Sequence, residues 1–113
     1  MAMHQLLVRY TAAGMKAALG DGFVARRAVL DKVVVAHGGA LRDYYMVADG
    51  DWDLVITHEL PDGMDNAAAA RMMAAFKAGG AVEELRTMRL ATAEAFDAAA
   101  RTTEETYSPP PQP

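Results

Sequence analysis

The fold of this chain is indicated by residues 44–56, which read YYMVADGDWDLVI. Aromatic and β-branched residues lie on both sides of a polar centre, as is typical of two strands joined by a turn. We therefore predict a β-hairpin, with strands over 41–49 and 52–60 and the turn at Asp49-Gly50-Asp51. Gly50 is expected to take the positive φ that such a turn requires.

The segments on either side of the hairpin alternate between strand and helix patterns. Two further strands are predicted, over Leu6–Tyr10 and Val82–Leu90. Apolar periodicity and breaker residues predict three helices, over residues 21–37, 67–78 and 93–101. Residues 11–20 contain two glycines and are expected to form a connector.

Residues that can cap a helix stand at the start of each predicted helix. The predicted N-caps, in chain order, are Asp21, Asp65 or Asn66, and Thr92. Gly38-Gly39 is expected to end the first helix. The inner stripe of that helix is predicted to consist of Phe23, Arg27, Leu30, Val34 and His37. In the second helix Met72, Met73 and Phe76 are expected to pack in the core.

The predicted order is β-α-β-β-α-β followed by a C-terminal helix. This order is typical of the ferredoxin-like α+β unit, a four-stranded antiparallel sheet with two helices on one face. We assign residues 1–105 to this domain and residues 106–113 to a flexible, proline-rich tail. The other face of the sheet is left open and needs a partner, a ligand or water.

The alternation of the strands predicts a mixed open face. Leu54, Ile56 and Leu60 form the helix-facing set of the third strand, and the opposite set includes Val55. Leu7 of the first strand is predicted to share that open face. Because a fully solvated face is usually more uniformly polar, we expect a sheet-on-sheet oligomer that encloses a cavity. Tyr44 and Tyr45 must point to opposite faces, and the pattern leaves open which of them faces outward.

Composition excludes several function classes. The chain has 113 residues, a formal charge of −4 and no cysteine, so disulfides, cysteine zinc sites and thiol catalysis are excluded. The acidic balance argues against nucleic-acid binding. No apolar run approaches the roughly 20 residues of a membrane span, and the first residues lack a signal-peptide pattern. We therefore expect a cytoplasmic protein.

Residues 44–56, followed by Leu60-Pro61-Asp62, resemble the central motif of the GYD-domain family. The other matches are Val8-Arg9-Tyr10-Thr11, Gly14, Arg26-Arg27 and Gly38-Gly39, and the resemblance covers roughly residues 5–95. It departs at Trp52, where the family motif has a tyrosine. The resemblance implies a ferredoxin-like fold related to dimeric α/β barrels, in which two open sheets stack. It implies no established reaction.

The candidate site residues come from the hairpin and the first strand. Candidate catalytic residues are Asp53, His58 and Tyr45, and candidate ligand-binding residues are Arg9, Tyr44, Tyr45, Trp52 and Asp53. Two of them have a structural alternative: the Asp53 carboxylate can bind the N–H groups of the hairpin turn, and His58 can be a buried, hydrogen-bonded residue. Arg26-Arg27 can form surface ion pairs with Asp21 or Asp31, or an anion clamp with Arg9. No metal-ligand spacing or cofactor motif is found, so neither a metal nor a cofactor is predicted.

These residues favour binding over catalysis. The favoured function is a non-catalytic homo-oligomer that binds a small molecule in a cavity between stacked sheets. The alternative is a cofactor-free monooxygenase or isomerase that uses the same cavity, with Asp53, a histidine and a tyrosine as acid-base groups. This alternative rests on analogy with other proteins of the same fold. A third hypothesis is partner binding through Pro109-Pro110-Pro111. The expected partners are a second copy of the chain and a small molecule, with no nucleic acid and no membrane.

Overall fold

The computed structural model describes residues 1–106 and 111, with side chains for residues 1–100 and 111. Most of the tail predicted over 106–113 therefore lies outside the described residues. The strands are β1 Ala2–Tyr10, β2 Ala40–Met46, β3 Leu54–Leu60 and β4 Val82–Leu90. The helices are α1 Ala12–Asp21, α2 Phe23–Ala36, α3 Asn66–Ala78 and α4 Ala93–Thr106.

The four strands form one antiparallel sheet in the order β2-β3-β1-β4. The predicted α+β architecture and the antiparallel sheet are confirmed. The core forms where β1 and β3 pair at the centre of this sheet, and it consists of Leu6, Val8, Leu54 and Ile56. These side chains are almost fully buried, as the alternation of both strands predicts.

The predicted hairpin is confirmed, with a longer loop than expected. β2 and β3 pair directly, and residues 47–53 connect them. The loop is closed by a backbone hydrogen bond from Val47 N–H to the Asp53 carbonyl, at 2.9 Å. Gly50 has φ +121°, the conformation that was expected of it.

The expectation of a connector over residues 11–20 is wrong, because these residues form helix α1. Thr11 is its N-cap, and the Thr11 hydroxyl accepts a hydrogen bond from the Gly14 N–H at 3.0 Å. The alanines that follow have a high helix propensity, so the helix forms although it contains two glycines. Asp21 is therefore the last residue of α1 and not the N-cap of the next helix, which starts after Gly22 without a side-chain cap.

Helix α1 approaches the start of β4 closely. The Thr11 N–H donates to the Ala81 carbonyl at 2.9 Å. A Cβ atom at Gly14 would overlap that same carbonyl group. Glycine is thus required at position 14 by the space available to it, and this contact fixes one end of the helix layer.

The remaining capping predictions are confirmed. The Asp65 carboxylate accepts from the Ala67 N–H at 3.2 Å, and the Thr92 hydroxyl accepts from the Ala95 N–H at 3.0 Å. Helix α2 ends before Gly38, whose N–H donates to the Val35 carbonyl. Helix α4 extends to Thr106, five residues beyond its predicted end at residue 101.

The predicted inner stripe of α2 is wrong at two positions, Arg27 and His37, because both are exposed and His37 follows the last residue of the helix. Arg26 is half-buried on the inner side of α2, whereas Arg27 is exposed. Leu30 packs against the core and Val34 is buried, as predicted. The sequence alone could not separate two adjacent arginines, because either one can extend its aliphatic stem along an apolar stripe.

Candidate functional site

The register of the strands assigns each hairpin residue to a face of the sheet. Tyr44 pairs with Ile56, so it shares the face covered by α2, which we call the helix face. Tyr45 pairs with Val55 on the opposite side, which we call the open face. The Tyr45 side chain is 65% exposed there. The question that the sequence left open is thus answered: Tyr45 faces outward.

A cavity of about 540 Å³ lies between the helix face and the helices; we call it the helix-side cavity. Most of its lining is apolar and comes from β1, β3, α2 and α3, through Val8, Leu54, Ile56, Leu30, Met72 and Phe76. Its volume lies within the range of about 300–1,000 Å³ that is common for small-molecule sites.

The cavity exists because α3 does not pack closely on the sheet. Helix α3 has no buried residue, although its N-cap and length match the prediction. Met72, Met73 and Phe76 are only half-buried, so the expectation that they pack in the core is wrong. Met72 and Phe76 line the cavity. The apolar side chains predicted to fill the core instead surround an empty volume.

One end of the helix-side cavity is polar. Tyr10, Arg26 and Tyr44 meet there, and we call these three residues the polar corner. Arg26 donates from Nη2 to the carboxylate of Asp21 at 3.1 Å, which confirms one of the predicted ion pairs. The Asp21 side chain is mostly exposed at the rim, so solvent screens this pair.

Burial changes the acid-base properties of the polar corner. It is the main cause that raises the pKa of Tyr10; Arg26 opposes it and Asp53 adds to it. Burial also raises the pKa of Tyr44, and the neighbouring Tyr10 adds to this effect, while Arg26 and Arg27 oppose it. Both hydroxyl groups therefore keep their protons near neutral pH and can donate hydrogen bonds.

Arg26 also carries a hydrogen-bond donor without a partner. Its Nε atom is buried and has no acceptor among the described residues. A buried donor that stays unpaired costs about 1–3 kcal/mol.

The open face has its own aromatic–arginine cluster, which we call the Trp52 stack. The guanidinium groups of Arg9 and Arg86 lie 4.9 and 5.4 Å from the centroid of the Trp52 ring. Arg9 donates to the Asp51 carbonyl and to Glu84, both at 2.7 Å. The hydrogen bonds of Arg9 and the two cation–π contacts hold these side chains together.

A family model described as GYD domain matches residues 6–100. The chain belongs to the GYD domain family. No curated protein and no solved structure matches the chain. The match confirms the predicted family. Within this GYD domain no described helix is long and apolar enough to cross a membrane.

The candidate residues predicted for this GYD domain are distributed over separate places. Tyr44 lies in the polar corner, whereas Arg9, Tyr45 and Trp52 belong to the open face. The sheet separates Arg9 from Arg26, so these two arginines cannot form one anion clamp. Trp52, the departure from the family motif, does not line the helix-side cavity.

Asp53 holds the hairpin of the GYD domain against β1. Its carboxylate accepts a hydrogen bond from the Tyr10 N–H at 2.9 Å, and its own N–H donates to the Val8 carbonyl at 2.9 Å. The carboxylate thus binds a backbone N–H group, but the predicted alternative, in which it binds the N–H groups of the turn, is wrong. The backbone group is on β1 and not in the turn.

His58 lies on the helix face, as predicted from its position two residues after Ile56 in the same strand. It is buried, and its ring stacks on that of His4 at a centroid distance of 5.6 Å. Burial, with a contribution from His4, lowers the pKa of His58. Among the described residues, no group of three or more histidine, aspartate or glutamate side chains could hold a metal ion.

Sequence reasoning missed the importance of Tyr10. Tyr10 follows Leu6 and Val8 at intervals of two residues in β1. The strand alternation therefore predicts that its side chain lies on the helix face. The meeting of Tyr10 with Arg26 and Tyr44 had no comparable signal, because these residues come from β1, α2 and β2.

Proposed function

We propose that this GYD domain binds a small, mainly apolar molecule in the helix-side cavity. The observation that carries the proposal is the combination of a cavity of about 540 Å³, apolar walls and a single polar corner. Small-molecule sites commonly have such walls, with a few polar groups that orient the ligand.

The positions of the candidate acid-base groups support binding over catalysis. The alternative, a cofactor-free monooxygenase or isomerase, would use Asp53, a histidine and a tyrosine. The Asp53 carboxylate binds the Tyr10 N–H, His58 stacks on His4, and Tyr45 projects from the open face. General acid–base catalysis requires such groups within hydrogen-bond reach of one substrate.

We also propose that a second copy of the chain covers the open face. Leu7, Val55 and Tyr45 form an apolar strip across three neighbouring strands, beside the Trp52 stack. Tyrosine, tryptophan and arginine are enriched in protein interfaces. Charges of both signs, Arg86 and Glu84 among them, lie beside the strip, so a copy related by two-fold symmetry can offer complementary charges.

The size of the sheet is sufficient for such an interface. Four strands of seven to nine residues cover roughly 20 by 25 Å. Two stacked faces would bury about 1,000 Å² in total, which is near the lower limit of a specific interface. A ligand cavity between two sheets stays a prediction that requires the second chain. We favour the helix-side cavity because one chain forms it.

The ligand site is tested with a cavity-filling variant. The neutral fluorescent probe N-phenylnaphthylamine is expected to bind the wild-type protein, with an increase in emission on entering an apolar cavity. Ala75 lines the cavity, and Ala75→Trp should weaken binding about ten-fold or more by occupying it. Ala74, on the same helix, is exposed and does not line the cavity, so Ala74→Trp is the matched control. Equal affinities of the two variants would contradict the proposal.

The oligomer is tested by sedimentation velocity. Val55→Arg introduces a charge in the middle of the open face and is expected to convert a dimer into a monomer. Val24 on α2 is 73% exposed, and Val24→Arg should leave the dimer intact. A wild-type protein that sediments as a monomer at high concentration would contradict the interface proposal. It would leave the ligand proposal standing.

A further inference from the structure

The polar corner limits the chemical class of the ligand. It brings one charged group, the Arg26 guanidinium, and two hydroxyl donors, Tyr10 and Tyr44, to one end of the helix-side cavity. Because burial raises the pKa of both tyrosines, their hydroxyl groups keep the protons needed for donation. These three donor groups favour a ligand group with more than one acceptor oxygen. The Arg26 charge, which Asp21 offsets only from the exposed rim of the cavity, favours an anionic one.

The position of Arg26 is fixed before any ligand binds. Its Nη2 is held by Asp21, and its side chain is about one-quarter exposed, at 28%. Asp21 is exposed, so water and salt screen its repulsion of an incoming anion. A guanidinium group that is already oriented loses less side-chain entropy when it binds a carboxylate.

The rest of the cavity excludes a second charged group. Beyond the polar corner the walls consist of apolar side chains such as Leu30, Met72 and Phe76. A charge buried against such walls would cost several kcal/mol, because it would lose its hydration without gaining a partner. Dicarboxylates, amino acids and sugars fit this distribution poorly, whereas an apolar molecule with one acid group fits it.

We propose that the ligand is an apolar monocarboxylic acid whose carboxylate accepts hydrogen bonds from the Arg26 guanidinium group and from the hydroxyl groups of Tyr10 and Tyr44. This inference rests on the proposed function, since it requires a ligand in the helix-side cavity. It adds the chemical class of the ligand and the residue that selects it. Arg26 is thus a specificity-determining residue.

The test is competition against bound N-phenylnaphthylamine. Naphthoate and methylnaphthalene share a ring system and differ in the carboxylate, so their ratio of inhibition constants isolates that group. In the wild-type protein naphthoate should compete about ten-fold or more better, as expected for a charge-assisted hydrogen bond in a buried site. Arg26→Gln should abolish this advantage, so that naphthoate and methylnaphthalene have about the same inhibition constant in that variant.

Two further variants keep the test specific. Arg27→Gln removes the adjacent, exposed arginine, which does not line the cavity, and should retain the wild-type preference. Arg26→Lys keeps the charge and can keep the pair with Asp21, but an ammonium group lacks the planar fork of N–H donors that matches a carboxylate, so the variant should lose most of the preference. If Arg26→Gln fails to fold, Arg26→Lys carries the comparison.

The outcomes separate the two proposals. If the probe binds and Ala75→Trp weakens it, but both competitors act equally or Arg26→Lys and Arg26→Gln keep the preference, the carboxylic acid inference is overturned. The proposed function then stands. If the probe does not bind the wild-type protein, or if Ala75→Trp binds it as Ala74→Trp does, the proposed function itself fails.

Discussion

The two faces of the sheet use the same residue types for different purposes. On the open face Arg9 has acceptors in Asp51 and Glu84 and packs against Trp52. On the helix face Arg26 lies beside tyrosines and keeps one buried donor without an acceptor. The open face lies on a continuous sheet, whereas the helix face borders a cavity. Arg26 thus lines a cavity and keeps one donor unpaired, whereas Arg9 lies on a continuous sheet and has its acceptors, and for this reason we favour the helix face as the ligand site.

The largest effect is expected at Gly14, which holds α1 against the start of β4 at one end of the helix layer. Gly14→Ala should lower the free energy of unfolding by about 2–3 kcal/mol, because the added methyl group overlaps the Ala81 carbonyl. Urea unfolding measures the loss. Gly20→Ala is the control in the same helix, where a Cβ atom meets nothing within 4 Å. It should be neutral or slightly stabilising. Equal losses in both variants would show that the close approach is absent.

A smaller loss is expected at Asp53, which joins the hairpin to β1 beside the polar corner. Asp53→Ala leaves the Tyr10 N–H without its carboxylate acceptor, at a cost of about 1–3 kcal/mol in urea unfolding. Asp51→Ala, in the same loop, keeps the carbonyl that binds Arg9 and should cost less than about 0.5 kcal/mol. A catalytic role for Asp53 would instead appear as lost turnover with unchanged stability.

The histidine pair should make the helix face sensitive to pH. Burial holds the pKa of His58 below 6.5, its unfolded value, so below pH 6.5 the unfolded chain binds a proton that the folded chain does not. Stability is therefore fully present above pH 6.5 and decreases as the pH falls toward the lowered folded pKa. His4 stacks on His58, and Arg89 pairs with His4 on the same face.

His58→Gln should flatten this pH dependence between pH 5 and 7, measured as the midpoint of thermal unfolding. His37 is exposed at the end of α2, and His37→Gln should retain the dependence of the wild-type protein. A wild-type midpoint that does not change over this range would show that His58 is not desolvated.

The smallest effect is expected in the Trp52 stack of the open face. Arg86→Gln removes one of two cation–π contacts and should cost less than about 1 kcal/mol, because the site is partly exposed. It should also change the emission of Trp52, the only tryptophan of the chain. Arg89, on the opposite face of the same strand, supplies the control Arg89→Gln. An unchanged Trp52 emission in Arg86→Gln would contradict the described contact.

Local patterns were sufficient to predict the sheet and the faces of its central strands. Period two in β1 and β3 assigned Leu6, Val8, Leu54 and Ile56 correctly, because burial on one face fixes every second residue. Helix α1 is not predicted from the sequence, because glycines at 14 and 20 usually indicate breaks. In α1, Gly14 lies close to the backbone of Ala81, and Gly20 lies near the C-terminal end of the helix.

The candidate site could be predicted only in part. Tyr44 is among the predicted site residues, but so are Trp52 and Asp53, whose contacts hold the loop and the open face together. The helix-side cavity arises from a tertiary property, the distance between α3 and the sheet, which helix propensity does not encode. The apolar stripe of Met72 and Phe76 has the same pattern whether it fills a core or lines a cavity.

The central claim, that the ligand lies on the helix face, is tested most directly by nuclear magnetic resonance on methionine methyl groups. Met72 lines the helix-side cavity, whereas Met88 pairs with Gln5 on the open face. Met72→Leu and Met88→Leu assign the two signals. With bound N-phenylnaphthylamine, our account predicts intermolecular Overhauser effects from the probe to the Met72 methyl group and none to that of Met88. Overhauser effects to Met88 without any to Met72 would place the ligand on the open face and contradict the account.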